Sequence, residues 1–250
     1  MNAPKLHHFL PQVIQKQFSS DGKNIFRFDK QSLNWTKISI KGNAAITNFN
    51  TIYDNQGTKN TILESQVLSS IDGKFLNLLN HIKQRKSLDE MRGYIIDLLS
   101  FTYSRVPKQR NNWERIVKDL ARQFKALGME KHGNANTKQN EIILGSMAET
   151  DVYSRVMSNS YFWVGVASNQ IKYFTSDNPC GSSYMPISPE FSIMSGREKR
   201  PLEYVTVPDD LVKMFNQQVY NDAERYIYNS EILDLTVYQK NLHAMPGRPI

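Results

Sequence analysis

The spacing of apolar residues changes twice along this chain, and each change marks a boundary between predicted strands and predicted helices. Trp35 to Ile40 alternates one residue in two, the period of a half-buried strand, and Asn24 to Phe28 reads as a second short strand. Asp21-Gly22 and Gly42-Asn43 supply turns between them. From Thr61 the period lengthens. Ile62, Val67, Leu68, Ile71, Phe75, Leu78, Leu79 and Ile82 follow helical spacing, predicting one long helix to about Arg85, bent near Gly73. Thr61 and Glu64 have the pattern of a capping box, as do Ser87 and Glu90 ahead of a strongly apolar helix carrying Met91, Ile95, Leu98, Leu99 and Thr102. Pro107 ends that helix. Trp113, Ile116, Val117, Leu120, Phe124 and Leu127 then form one apolar stripe, with Gly128 as C-cap. His132 to Asn140 reads as a polar loop before a further helix from about Glu141 to Asn159.

Beyond residue 160 the strand period returns. Tyr161 to Ala167 and Ile171 to Thr175 predict a β-hairpin around Ser168-Asn169-Gln170. Short strands punctuated by prolines follow, then a helix from Asp209 to about Tyr228 and a last strand, with a frayed tail after Lys240. The expected fold is α+β: a β platform built from the N- and C-terminal segments, residues 1–59 and 161–250, with a mainly helical subdomain, residues 60–160, inserted between them.

Charge adds one feature to this picture. The chain of 250 residues carries a formal net charge of +7, and thirteen Lys and Arg face six Asp and Glu between Lys74 and Lys131, so this segment holds the whole surplus. The implied partner is nucleic acid or another polyanion. Arg115, Lys118, Arg122 and Lys125 share a face opposite the apolar stripe, with Glu114 and Asp119 interleaved as on an ordinary solvated helix. A single cysteine, Cys180, and the lack of a signal-peptide pattern at the N-terminus point to a reducing cytoplasm. No apolar run is long enough to span a membrane, so no membrane association is expected.

Four short motifs carry a resemblance. They are His7-His8-Phe9-Leu10-Pro11 with Phe18 beyond it, Glu64 early in the first long helix, Arg105-Val106-Pro107 at a helix end, and Thr175-Ser176-Asp177-Asn178-Pro179 after a strand, followed by Pro186-Ile187-Ser188-Pro189. In order and spacing, from Lys5 to Tyr228, the chain resembles a bacterial family catalogued as domain-of-unknown-function family 4238. Phe9 stands where that family usually has Tyr, and Gln15 where it usually has Leu. The resemblance implies a shared fold and pocket and transfers no catalytic residue.

The residues that could carry chemistry are few. His7, His8 and Asp177 are the catalytic candidates, a His/Asp set able to bind a divalent metal or act as acid and base on a phosphodiester. In an extended segment His7 and His8 point to opposite faces, so at most one would meet Asp177. Asp177, His8 and Glu64 are the candidate metal ligands; Arg105, Arg110 and Asn178 are the candidate substrate-binding residues, the arginines at a helix end where a guanidinium can clamp an anion. Each has a plainer reading: a histidine bonded to a turn, an Asp-Asn-Pro that caps one, an Arg105 and an Arg110 paired with Glu64 inside the bundle, a packed Cys180. Two functions follow, a hydrolase acting on a phosphate-bearing or nucleic-acid substrate, or a non-enzymatic module binding nucleic acid or an acidic protein, including an effector in a bacterial conflict or phage-defence system.

Overall fold

The computed structural model describes residues 6–128, 135–168, 170–181, 183–200 and 203–240. Its strands are β1 Leu6–His8, β2 Asn24–Asp29, β3 Asn34–Ser39, β4 Ala45–Thr47, β5 Ile52–Tyr53, β6 Lys59–Asn60, β7 Tyr161–Ala167, β8 Thr175–Ser176, β9 Tyr184–Pro186, β10 Phe191–Gly196, β11 Tyr204–Val207 and β12 Tyr226–Asn229. The α-helices are α1 Gln12–Gln15, α2 Ser69–Lys83, α3 Arg92–Ser104, α4 Pro107–Ala126, α5 Ala135–Ser158, α6 Asp209–Asp222 and α7 Thr236–Lys240. The fold is α+β.

Two four-stranded sheets run β3-β2-β12-β8 and β11-β7-β10-β9, and the first of them joins strands from both ends of the chain. β12 pairs antiparallel with β2, Tyr228 opposite Arg27, and with β8, Tyr228 opposite Thr175. The segment 171–175 therefore does not fold back on Tyr161–Ala167 as a hairpin. β7 instead pairs antiparallel with β10 and parallel with β11. Its Val164 and Ala167 are buried, so its best partners are other core strands, wherever they lie in sequence.

The core crosses from helices to strands without a break. Phe75, Leu78 and Ile82 of α2 and Ile95, Leu98 and Leu99 of α3 join Phe9 and Leu10 beside β1 and Val164, Met185 and Ile193 of the C-terminal sheet. Residues such as Phe75, Leu78, Ile95 and Leu98 are completely buried, each worth roughly 1.5–3 kcal/mol of transfer free energy. The N-terminal strand is thus held by the helices rather than left at the edge of the molecule.

Four local expectations are corrected. The long helix enters through a π-helical segment, Leu63–Leu68, and no Thr61–Glu64 capping box forms, because Asn60 Oδ1 accepts from the Ile62 amide while Glu64 turns to another partner. α5 begins at Ala135, inside the stretch read as loop, and α6 ends at Asp222 with β12 starting four residues later. The stripe on α4 is covered only at its start. Ile116, Leu120, Phe124 and Leu127 are 38–73% exposed, while Trp113 packs on α5, where a Cβ on Gly145 would fall 2.4 Å from the indole. The frayed tail after Lys240 lies outside the described residues.

Candidate functional site

Pairing of β1 with β4 sets His7 opposite Ile46 and brings the turn that follows β4 over the N-terminal strand. The burial of β1 alternates, with His7 completely inside and His8 half-exposed. His7 Nδ1 accepts the Asn50 amide hydrogen at 2.8 Å, so the ring must present a lone pair at that nitrogen. Asn50 is itself completely buried and has two further bonds: its Nδ2 donates to Glu64 Oε2 at 2.7 Å, and its Oδ1 accepts from Arg110 Nη2 at 2.9 Å. Asn50 therefore holds β1 through its backbone amide and joins the π-helical turn before α2 to the start of α4 through its carboxamide. The donor and acceptor ends of that carboxamide match a carboxylate on one side and a guanidinium on the other.

Arg110 is the unusual member. It is 5% exposed, and among the described residues Asn50 is its one hydrogen-bond acceptor, with no partner there for Nε or Nη1. Phe49 lies under the guanidinium with 5.0 Å to the ring centroid, giving a cation–π contact but no charge compensation. Burial alone pulls its pKa down to about 10. Pro107 at the first helical position explains how α4 starts here, since a missing N–H costs nothing there, and the first turn then carries Gln109 and Arg110 inward. Arg110 also lines a cavity of about 360 Å³ whose walls include Ile46, Phe49, Ile142, Lys138 and Gln139.

Around this cluster the other N-terminal candidates take separate positions. His8 Nε2 lies 3.2 Å from the Lys41 carbonyl oxygen and 3.1 Å from the Gln12 carboxamide. Burial lowers its pKa, against weaker upward pulls from the Lys41 carbonyl, Glu64 and Asp72. Arg105, 1% exposed at the end of α3, pairs with Asp72 of α2 at 2.9 Å and not with Glu64. Its cation is thereby committed to joining two helices.

Asp177 stands apart from all of these. It is 5% exposed, and its carboxylate accepts three backbone amides from the α6–β12 connection: Glu224 at Oδ1, 3.0 Å, and Arg225 and Tyr226 at Oδ2, both 2.9 Å. The Asp177 amide in turn donates to the Tyr226 carbonyl at 3.0 Å. Desolvation pushes its pKa up to about 6, outweighing the opposing pull of the three amides. Asn178 Nδ2 donates to the Asp222 carbonyl at 3.0 Å, and Lys30 Nζ donates to the Tyr220 and Ala223 carbonyls at 2.8 and 2.7 Å. Both supply donors that the C-terminal carbonyls of α6 lack. The Thr-Ser-Asp-Asn-Pro segment is thus a clasp on the end of α6.

The sequence-predicted residues accordingly divide. His7, Glu64 and Arg110 meet through Asn50; His8, with Arg105 and Asp72, belongs to the same end of the helices. Asp177 and Asn178 do not join them. The charged groups felt by His8 are Glu64 and Asp72, whereas Asp177 interacts with Glu224 and Lys30. Among the described residues no three His, Cys, Asp or Glu side chains converge as a metal set, so Asp177, His8 and Glu64 do not make one. Asn50, the hub, carried no signal in the sequence, since Asn48-Phe49-Asn50 reads as turn chemistry. Cys180 is buried, with burial pushing its thiol up to about 12, which suits packing.

A family model described as Protein of unknown function (DUF4238) matches residues 6–231, a span that holds every residue of both clusters. The chain belongs to the DUF4238 family. The match begins at β1 and ends just after β12, so the strands that frame the Asn50 cluster and the Asp177 clasp lie within the matched span. No curated protein and no solved structure matches the chain. No helix among the described residues of this DUF4238 chain is long and apolar enough to cross a membrane.

Proposed function

We propose that this protein binds a phosphate-bearing ligand through Arg110. The supporting observation is a guanidinium that is nearly buried, has one hydrogen-bond partner, a neutral one, among the described residues, and lines a cavity large enough for a small anion with an apolar substituent. A buried cation left without a counter-charge costs the folded protein several kcal/mol, and an anionic ligand would relieve that cost. Arginine suits the task because its planar, weakly hydrated cation presents several donors to a phosphate. Lys138, which also lines the cavity and pairs with Glu114 at 3.7 Å, could turn to a second phosphate oxygen. The apolar walls at Ile46, Phe49 and Ile142 favour a ligand that is not phosphate alone.

The binding reading is favoured over hydrolysis by a His/Asp pair. A general base needs a reachable lone pair, whereas Asp177 directs both oxygens at backbone amides and His7 is completely enclosed. Nucleic-acid binding by the basic face of α4 is weakened by pairing within that helix, of Lys118 with Glu114 at 3.0 Å and of Arg122 with Asp119.

Isothermal titration with inorganic pyrophosphate, comparing the wild type with Arg110→Gln, tests the proposal. The wild type should bind and the variant should bind at least about tenfold more weakly. The variant's melting temperature should be unchanged or raised, because a poorly compensated buried charge has been removed. No binding by the wild type, or equal binding by the variant, would refute the reading.

A further inference from the structure

On the other side of α4 lies a second cavity, of about 330 Å³, between the helices and the C-terminal segments. Two opposite charges line it. Lys108 comes from the first turn of α4 and Asp222 from the last residue of α6, and both are half-buried. Neither side chain forms a hydrogen bond or an ion pair with the other, or with any other group, among the described residues. Both are close enough to influence the Lys30 ammonium, in opposite senses. Two unlike charges facing one space without meeting form a site that a ligand bearing both charges would complete.

The remaining walls narrow the ligand further. Gln218 contributes a carboxamide with no partner among the described residues, and Gln109 and Asn178, 6% and 5% exposed, stand at the same cavity. Tyr103 and Tyr153, stacked at 4.6 Å with 7° between their planes, line the same cavity with Val156 and Met157, and the Tyr103 hydroxyl bonds the Gln109 side chain. The cavity therefore offers both signs of charge together with aromatic and aliphatic surface. We propose that it binds a free α-amino acid with an aliphatic or aromatic side chain, its carboxylate on Lys108, its ammonium on Asp222 and its side chain against the tyrosine pair.

The volume admits such a molecule, and the seam between two packed substructures is a common place for small-ligand sites. Asn178 gains a double use here: its Nδ2 holds the α6 terminus while the residue borders the cavity. This site is independent of Arg110, which faces the other cavity, and the two proposals stand or fall separately.

The test is titration of the whole protein with leucine, methionine and phenylalanine, one at a time, followed by amide NMR shifts and calorimetry. At least one should bind at millimolar concentration or below. Isocaproate, which keeps only the carboxylate, and isoamylamine, which keeps only the amine, should bind about tenfold more weakly or worse. Lys108→Met and Asp222→Asn remove side chains that make no internal bond, so both should stay folded, and each should weaken binding by about tenfold or more. Arg110→Gln should bind as the wild type does. The proposal is overturned if none of the three amino acids binds, if binding survives both substitutions, or if it is lost in Arg110→Gln.

Discussion

Asp177→Ala should destabilise the protein by about 3 kcal/mol at pH 7, the largest effect expected of any single truncation at the family motif. The carboxylate satisfies three backbone amides at the α6–β12 connection, and each orphaned buried donor costs roughly 1–3 kcal/mol. At neutral pH part of that loss is offset, because removing the acid also removes the cost of burying its charge. The pH dependence follows from the raised pKa. A carboxyl that titrates near pH 6 in the folded state and near 3.9 when unfolded keeps its proton longer in the folded state. Its contribution to stability is full below about pH 4 and falls as pH rises through about 6, by up to about 3 kcal/mol. The gap between wild type and Asp177→Ala should therefore be wider at pH 4 than at pH 7. Urea unfolding at both pH values measures it, and a gap that is absent or that widens with pH would contradict this role.

The second large effect is expected at Asn50. Truncation to Ala removes the Arg110 bond and the Glu64 bond together, leaving a buried cation with only the face of Phe49 among the described residues. A hydrogen bond to a charged group contributes about 1.5–3 kcal/mol, and Asn50→Ala loses two of them, so its stability in chemical denaturation should fall by about 3–5 kcal/mol. Asn50→Asp separates the two partners. A carboxylate there suits Arg110 and opposes Glu64, so stability should lie between wild type and Ala, while pyrophosphate affinity should fall because the cation has acquired an internal counter-charge. Wild-type stability in Asn50→Ala would show that the cluster is not joined through this residue.

How far the chain could be read in advance depended on whether a residue's partners were local. α3 was legible because Ile95, Leu98 and Leu99 are apolar at helical spacing and are buried on that face. The stripe on α4 was equally regular, yet a periodic face does not say what covers it, and Leu120 and Phe124 lie open. Glu64 had the local pattern of a capping residue, but a carboxamide in the turn after β4 competes for it and wins. The hairpin failed for the same reason in strands: Thr175 and Ser176 pair with β12, some fifty residues on. At the candidate sites, His7 and Arg110 were visible as residue types while their common partner was not. Asp177 was visible at a strand end, but its partners are backbone amides of residues 224–226, which no side-chain pattern announces. The opposed charges of Lys108 and Asp222 were unreadable in sequence because only the tertiary fold brings the first turn of α4 and the last residue of α6 to one cavity.

The most direct test of the central claim, that Arg110 is an anion receptor and not a packing residue, is a crystal structure of the wild type grown with saturating pyrophosphate. Phosphate oxygens should appear within about 3 Å of the Arg110 guanidinium, turned so that Nε or Nη1, both closed off in the free protein, faces the cavity. The opposite result is an Arg110 whose two free nitrogens meet only protein or water while the cavity beside Phe49 holds no anion.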